Sequence, residues 1–224
     1  AKPAAGIGPH PDIRKAGLGQ QRAESLRRIF VRILGMDSFA GDKAPDRAAC
    51  ACRPTRVERA PRLDGRPPQH TFFYPEEEYV PELLDQLAAL CGEGYGEIEV
   101  HLHHDNDTEA NFRTSVARFR DLLHARHGAL PRDPASGELR FGFIHGNWCL
   151  DNSRADGRWC GINNELVLLR ELGCYADFTL PSAPSDTQTR TVNAIYYATD
   201  DPLRPRSHDH GVPVRAGGQP SGDL

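Results

Sequence analysis

Four potential metal ligands fall within five residues of the segment EIEVHLHHDND (97–107): His101, His103, His104 and Asp105. Strict alternation puts Ile98, Val100 and Leu102 on one face of a strand and Glu99, His101 and His103 on the other. Residues two apart on a strand have Cα atoms about 6.7 Å apart on the same side, so two imidazoles there can reach one ion. A catalytic zinc usually takes three protein ligands and keeps a fourth position open for water, so a further donor has to come from another strand. Asp105, His145 and Asp177 are the candidates. Each also reads as an ordinary turn or strand-end hydrogen-bonding residue.

Other residues carry weaker signals. Asn147, Trp148 and Trp159 lie in an Asn-, Asp- and Gly-rich loop, where the indoles either stack on sugar rings or pin the loop. Glu76, Glu77 and Glu78 offer a carboxylate for acid–base work, or simply favour a helix N-terminus. His208 and His210 in SHDHG read as solvated histidines of a proline-rich tail. None of the six cysteines forms a C-x-x-C pair, and they read as free thiols in a reducing, cytoplasmic setting, with Cys91 and Cys174 in apolar contexts. The chain contains neither G-x-x-x-x-G-K-[ST] nor G-x-S-x-G, so a phosphate-cradling loop and a nucleophile elbow have no support.

The elements that must position these side chains alternate from residue 69 onward. HTFFYP (70–75) reads as an aromatic strand, followed by a helix opened by Pro81, with Leu83, Leu84, Leu87 and Leu90 on one face and Gly92 as its stop. The strand over 97–103 comes next. A helix capped by Asp107 or Thr108 then carries Phe112, Val116, Phe119, Leu122 and Leu123 as far as Gly128. Strands are expected over 139–145, 174–179 and 194–199, with a helix capped by Asn163 between the first two of these. Strands separated by helices predict βαβ units and a parallel sheet or barrel, with the chemistry at the carboxyl ends of the strands. His103, His145 and Asp177 fall at such ends.

The order QHTFFYP, leucine-rich helix, GEIEVHLHHD, helix, FGFIHGN, ELVLLRELGCYADFT resembles the polysaccharide deacetylase (NodB homology) family over residues 69–180. In that family an A-T-F-F strand precedes a metal-binding histidine strand, a G-F-R-x-P strand and an L-x-x-x-G-x-x-Y-D-S-S segment. The resemblance implies a distorted (β/α) barrel and removal of N-acetyl groups from amino-sugar polymers. It also implies a divalent metal, zinc first, held by His101 with His103, His104 or Asp105. His145 and Asp177 are then the catalytic candidates, and Asn147, Trp148 and Trp159 the substrate-binding ones. The chain departs from the pattern at several points. The family's second histidine falls on Asp105, and its arginine and proline fall on Ile144 and Gly146. Its T-F-D-D-G-P strand has no counterpart in TRVERAPRLDGRPPQ, whose last ten residues hold one carboxylate, Asp64. The expectation is therefore a barrel incomplete at both ends. A non-catalytic carbohydrate-binding relative and a glycosidase using Glu77 with Asp177 are the alternatives.

Composition separates the chain into two parts. Residues 1–66 hold 14 Lys+Arg and 7 Asp+Glu, and residues 67–224 hold 13 and 24, so the net charge of −4 averages a basic head and an acidic body. The head carries one periodic helix, Gln20–Leu34, and a boundary is expected near Asp64–Gly65. It lacks interleaved aromatics and any binding motif, which argues against a nucleic-acid partner. No apolar run approaches a membrane span and no apolar leader opens the chain, so neither an anchor nor export is expected.

Overall fold

The computed structural model describes residues 68–224. The basic head, its expected helix, Cys50, Cys52, Asp64 and the expected boundary lie outside the described residues. Four strands, β1 (His70–Pro75), β2 (Gly96–Leu102), β3 (Phe141–His145) and β4 (Cys174–Asp177), form one parallel sheet in the order β1-β2-β3-β4. The crossovers carry α1 (Pro81–Leu90), α2 (Glu109–His127) and α3 (Glu165–Glu171). Because parallel strands need such crossovers, all four carboxyl ends share one edge of the sheet. The register sets Tyr74 beside Val100, and Leu102 beside His145.

Local chemistry accounts for the helix ends. Pro81 sits in the first turn of α1, where its missing N–H costs nothing. Beyond Leu90 the chain continues through a wider turn, Cys91–Tyr95, and turns off at Gly94 rather than at Gly92. Thr108 caps α2, its hydroxyl accepting from Asn111 N at 3.3 Å, and Gly128 closes it. Asn164, not Asn163, occupies the cap position of α3 and uses its carbonyl, not its side chain, to take Leu168 N.

Apolar faces meet where the periodicity places them. Leu84 and Leu87 of α1, Phe112, Val116, Phe119 and Leu123 of α2 and Leu166, Leu168 and Leu169 of α3 are buried, as are Ile98, Val100, Leu102, Phe141 and Phe143 of the strands. Each such side chain contributes about 1.5–3 kcal/mol on burial.

Four strands differ from the sequence expectation, β2 only by a shift of one residue to Gly96–Leu102. β3 starts at Phe141 because Leu139 pairs with Arg132 in an isolated antiparallel bridge. β4 ends at Asp177, whose carboxylate accepts from Thr179 N at 3.0 Å and from the Thr179 hydroxyl at 2.7 Å and so turns the chain. The fifth strand, β5 (Tyr196–Ala198), pairs antiparallel with β6 (Gly211–Pro213) instead of extending the parallel sheet. No helix lies between β4 and β5, so the crossover that a fifth parallel strand requires is missing there. Among the described residues no helix is long and apolar enough to cross a membrane.

Candidate functional site

Alternation divides His101 of β2 and the two histidines that follow the strand, His103 and His104. His101 and His103 share a face, with ring centroids 4.6 Å apart, while His104, one residue further, turns to the opposite side. His101 Nδ1 donates to Ile144 O at 2.8 Å. Its pKa is lowered, by burial first and by His103 second. His103 Nδ1 pairs with the Glu77 carboxylate, which also accepts the His103 backbone N–H at 3.4 Å, and this partner raises the pKa of the imidazole. Asp105 accepts Trp159 N at 2.6 Å and ties one loop to another. The four expected ligands therefore do not converge on one point.

Among the described residues, His104, His145, Cys160 and Glu165 are the one group of three or more potential ligands that does converge, each offering a donor atom within 4.8 Å of all the others. His104 Nε2 lies 3.3 Å and His145 Nε2 3.6 Å from Glu165 Oε1, and Cys160 Sγ lies 3.5 Å from Glu165 Oε2. A tetrahedral ion with bonds of about 2.1 Å spaces its donors about 3.4 Å apart, which suits the two histidine separations, both to Oε1; the cysteine separation is to the other oxygen of the carboxylate. Elements from three parts of the fold supply the set: the end of β2, the end of β3, and the loop and first residue of α3.

The surroundings orient each donor. His145 Nδ1 donates to Gly146 O at 2.6 Å, which leaves Nε2 as the free lone pair, and that buried atom has no hydrogen-bond partner. Such an orphaned imidazole nitrogen facing a carboxylate is what a cation would satisfy. Asp107 Oδ2 stands 3.3 Å from His104 Nδ1, on the outer side of that ring. Asp151 N donates to Glu165 Oε2 at 2.7 Å and Asn152 N donates to Cys160 Sγ at 3.3 Å. The site is closed to solvent, with His145, Cys160 and Glu165 almost wholly buried and the His104 side chain 6% exposed.

Electrostatics follow from that burial. It drives the His145 imidazole down to about 4, against the pull of Glu165, so the ring is neutral at neutral pH and fit to ligate. Burial pushes the Glu165 carboxyl up, but His145, His104 and the Asp151 N–H outweigh it and hold the group at about 2. Burial and then the Glu165 charge raise the Cys160 thiol far above its ordinary range. A bound cation would reverse that and take the thiolate.

The other expected site residues lie around this centre. Asn147 and Trp148 adopt left-handed backbone conformations directly after β3, as do Asp151, Asn152 and Trp159 further along the loop. Such conformations are uncommon outside glycine and cluster where function holds a loop. Trp148 is 53% exposed, whereas the Trp159 ring is covered by the guanidinium groups of Arg154 and Arg158 at 4.5 and 5.1 Å. Trp159 is thereby a loop pin, and Trp148 the indole open to a ligand. His208 is buried on Asp151, with Nδ1 3.4 Å from Oδ2, rather than solvated.

Comparison of the chain with family models, curated proteins and solved structures gave no match. The reading of the site rests on its own geometry. Cys160 and Glu165 are the members that the sequence did not single out. Their signal was a cysteine five residues ahead of a glutamate that opens a helix, in WCGINNELVLL.

Proposed function

We propose that this chain is a metal-dependent hydrolase of C–N amide bonds, of the polysaccharide deacetylase type, with its sheet forming part of a distorted (β/α) barrel. Its substrate is an amino-sugar polymer, and its zinc ion is held by His104, His145, Cys160 and Glu165. The observation that carries the reading is the unpartnered His145 Nε2, set 3.6 Å from a wholly buried carboxylate at the carboxyl ends of parallel strands. When bound, zinc would supply Lewis acidity toward an amide carbonyl, which with four donors in place would have to join as a fifth neighbour or displace one of them. The chain supplies the rest. Gly146 O fixes the His145 ring, Asp151 N fixes Glu165, and Trp148 offers an exposed ring for a sugar face. Glu77 holds His103 through Nδ1 at the same edge, which leaves Nε2 to hold or pass a proton.

One observation favours a second reading. With four donors engaged and almost no exposure, an ion here would be closed, as structural zinc sites are, and the chain would be a carbohydrate-binding relative without catalysis. Release of acetate from N-acetylglucosamine oligomers by the zinc-loaded chain, lost on chelation and restored by zinc, supports the hydrolase. Binding of the oligomers without acetate release, with chelation unfolding the protein, supports the second reading. A chain that takes up no metal contradicts both.

A further inference from the structure

A cavity of about 470 Å³ opens between β4 and β5, and none of His104, His145, Cys160 and Glu165 lines it. Its walls are apolar and aromatic, with Tyr175, Phe178, Ile195 and Tyr196 among them, and its polar side chains include Asp177 and His208. The volume suits a small organic molecule. Phe178 is 47% and Ile195 80% exposed, so the mouth presents unpaired apolar surface to solvent.

The polar groups are built into the fold. His208 is 1% exposed; its Nδ1 faces Asp151 Oδ2 at 3.4 Å, while its Nε2 is buried with no partner. Thr179 N and its hydroxyl use one lone pair on each oxygen of Asp177, which leaves acceptor capacity on both. Among the described residues lining the cavity there is no lysine or arginine. Burial pushes the Asp177 carboxyl up to about 7 against those two hydrogen bonds, as expected of a carboxylate kept without a cation. A ligand that completes this lining therefore brings hydrogen-bond donors and positive charge on an apolar ring, because aromatic faces attract cations as well as apolar rings.

We propose that this cavity binds a primary ammonium group carried on a ring-sized apolar body, with Asp177 as the acceptor and Tyr175, Phe178 and Tyr196 around the ring. Thr179 links this site to the proposed metal ligands, its hydroxyl donating to Asp177 at 2.7 Å and accepting His145 N at 2.8 Å, but binding here does not depend on hydrolase activity.

Benzylamine and its neutral analogue benzyl alcohol are the probes, titrated by calorimetry and ligand-observed NMR into the full chain, with zinc and after chelation. A charge-assisted contact predicts that the amine binds about tenfold or more tighter than the alcohol. Asp177→Asn, which keeps an oxygen for Thr179, should bring the amine down to the affinity of the alcohol. Phe178→Ala, at the exposed mouth, should weaken both probes by a similar factor and keeps the test open if the Asn variant does not fold. Equal affinities in the wild type, no binding of the amine, or an unchanged preference in a folded Asp177→Asn protein would each overturn the proposal. So would unaltered binding of both probes in Phe178→Ala.

Discussion

Glu99 should make the protein less stable as pH rises, and Glu99→Gln should remove that dependence. The side chain is 2% exposed on β2; Oε2 accepts Gly142 N at 2.6 Å and Oε1 accepts the Tyr175 hydroxyl at 3.1 Å. It thus serves a backbone N–H at the irregularity between Phe141 and Gly142, where the β3–β4 register shifts. Burial raises the carboxyl from 4.5 to about 7, and the two hydrogen bonds only partly oppose it. The folded state therefore binds this proton more tightly than the unfolded one. Stability from this group is complete below about pH 4.5 and is lost as pH rises through 7. Each pKa unit is worth about 1.4 kcal/mol, so the ionised group costs about 3 kcal/mol at pH 8. Glutamine keeps an oxygen for Gly142 N and offers an amide to the Tyr175 oxygen without carrying charge. In urea unfolding at pH 8 the variant should gain about 3 kcal/mol, a midpoint shift of about 1.5 M for a slope near 2 kcal/mol/M. The gain should shrink to nothing near pH 4.5, and shared contributions cancel in the difference. A variant less stable than wild type at pH 8, or a difference that does not vary with pH, would refute the assignment.

Three further outcomes are expected. In chelated protein, His145 stays neutral down to about pH 4, so the stability tied to its neutral form is whole above about 6.5 and lost as pH falls to 4. Denaturant titrations should show a loss of about 3 kcal/mol over that window, reduced when zinc is present. Cys160→Ser should weaken zinc about 100-fold or more and abolish the thiolate charge-transfer band of the cobalt-substituted protein. Gly161 has φ +106°, and a Cβ there would lie 2.5 Å from Asp107 N, whose N–H bonds Cys160 O at 2.9 Å. Gly161→Ala should therefore cost about 2 kcal/mol or more in thermal unfolding and lower zinc uptake by moving Cys160.

Much of the sheet was legible in the residues. HTFFYP, the alternation through EIEVHLH and the apolar run at FGFI each become a parallel strand, because a buried strand face needs apolar residues at period two. Helix spacing likewise places Phe112, Val116, Phe119 and Leu123 on the buried side of α2. Pairing was not legible for β5, since a strand's own residues do not tell whether its partner is β4 or a segment over a dozen residues downstream. The converging group of His104, His145, Cys160 and Glu165 was legible only in part. Alternation reveals that His101 and His103 face together, and the same rule sends His104 the other way, toward residues more than forty positions downstream. Cys160 reaches it from a loop whose left-handed residues obey no periodic pattern, and Glu165 from the helix that this loop positions. Asp177 stood out as a strand-end carboxylate, but the cavity it lines is formed by β5 and could not be read locally.

X-ray absorption at the zinc edge of the purified, zinc-loaded chain is the most direct test of the proposed metal centre. His104, His145, Cys160 and Glu165 predict one zinc per chain, with a single sulfur at about 2.3 Å and three nitrogen or oxygen neighbours at about 2.0–2.1 Å. The sulfur should disappear in Cys160→Ser. A first shell of nitrogen and oxygen alone in the wild type, or a chain that retains no zinc, would contradict it.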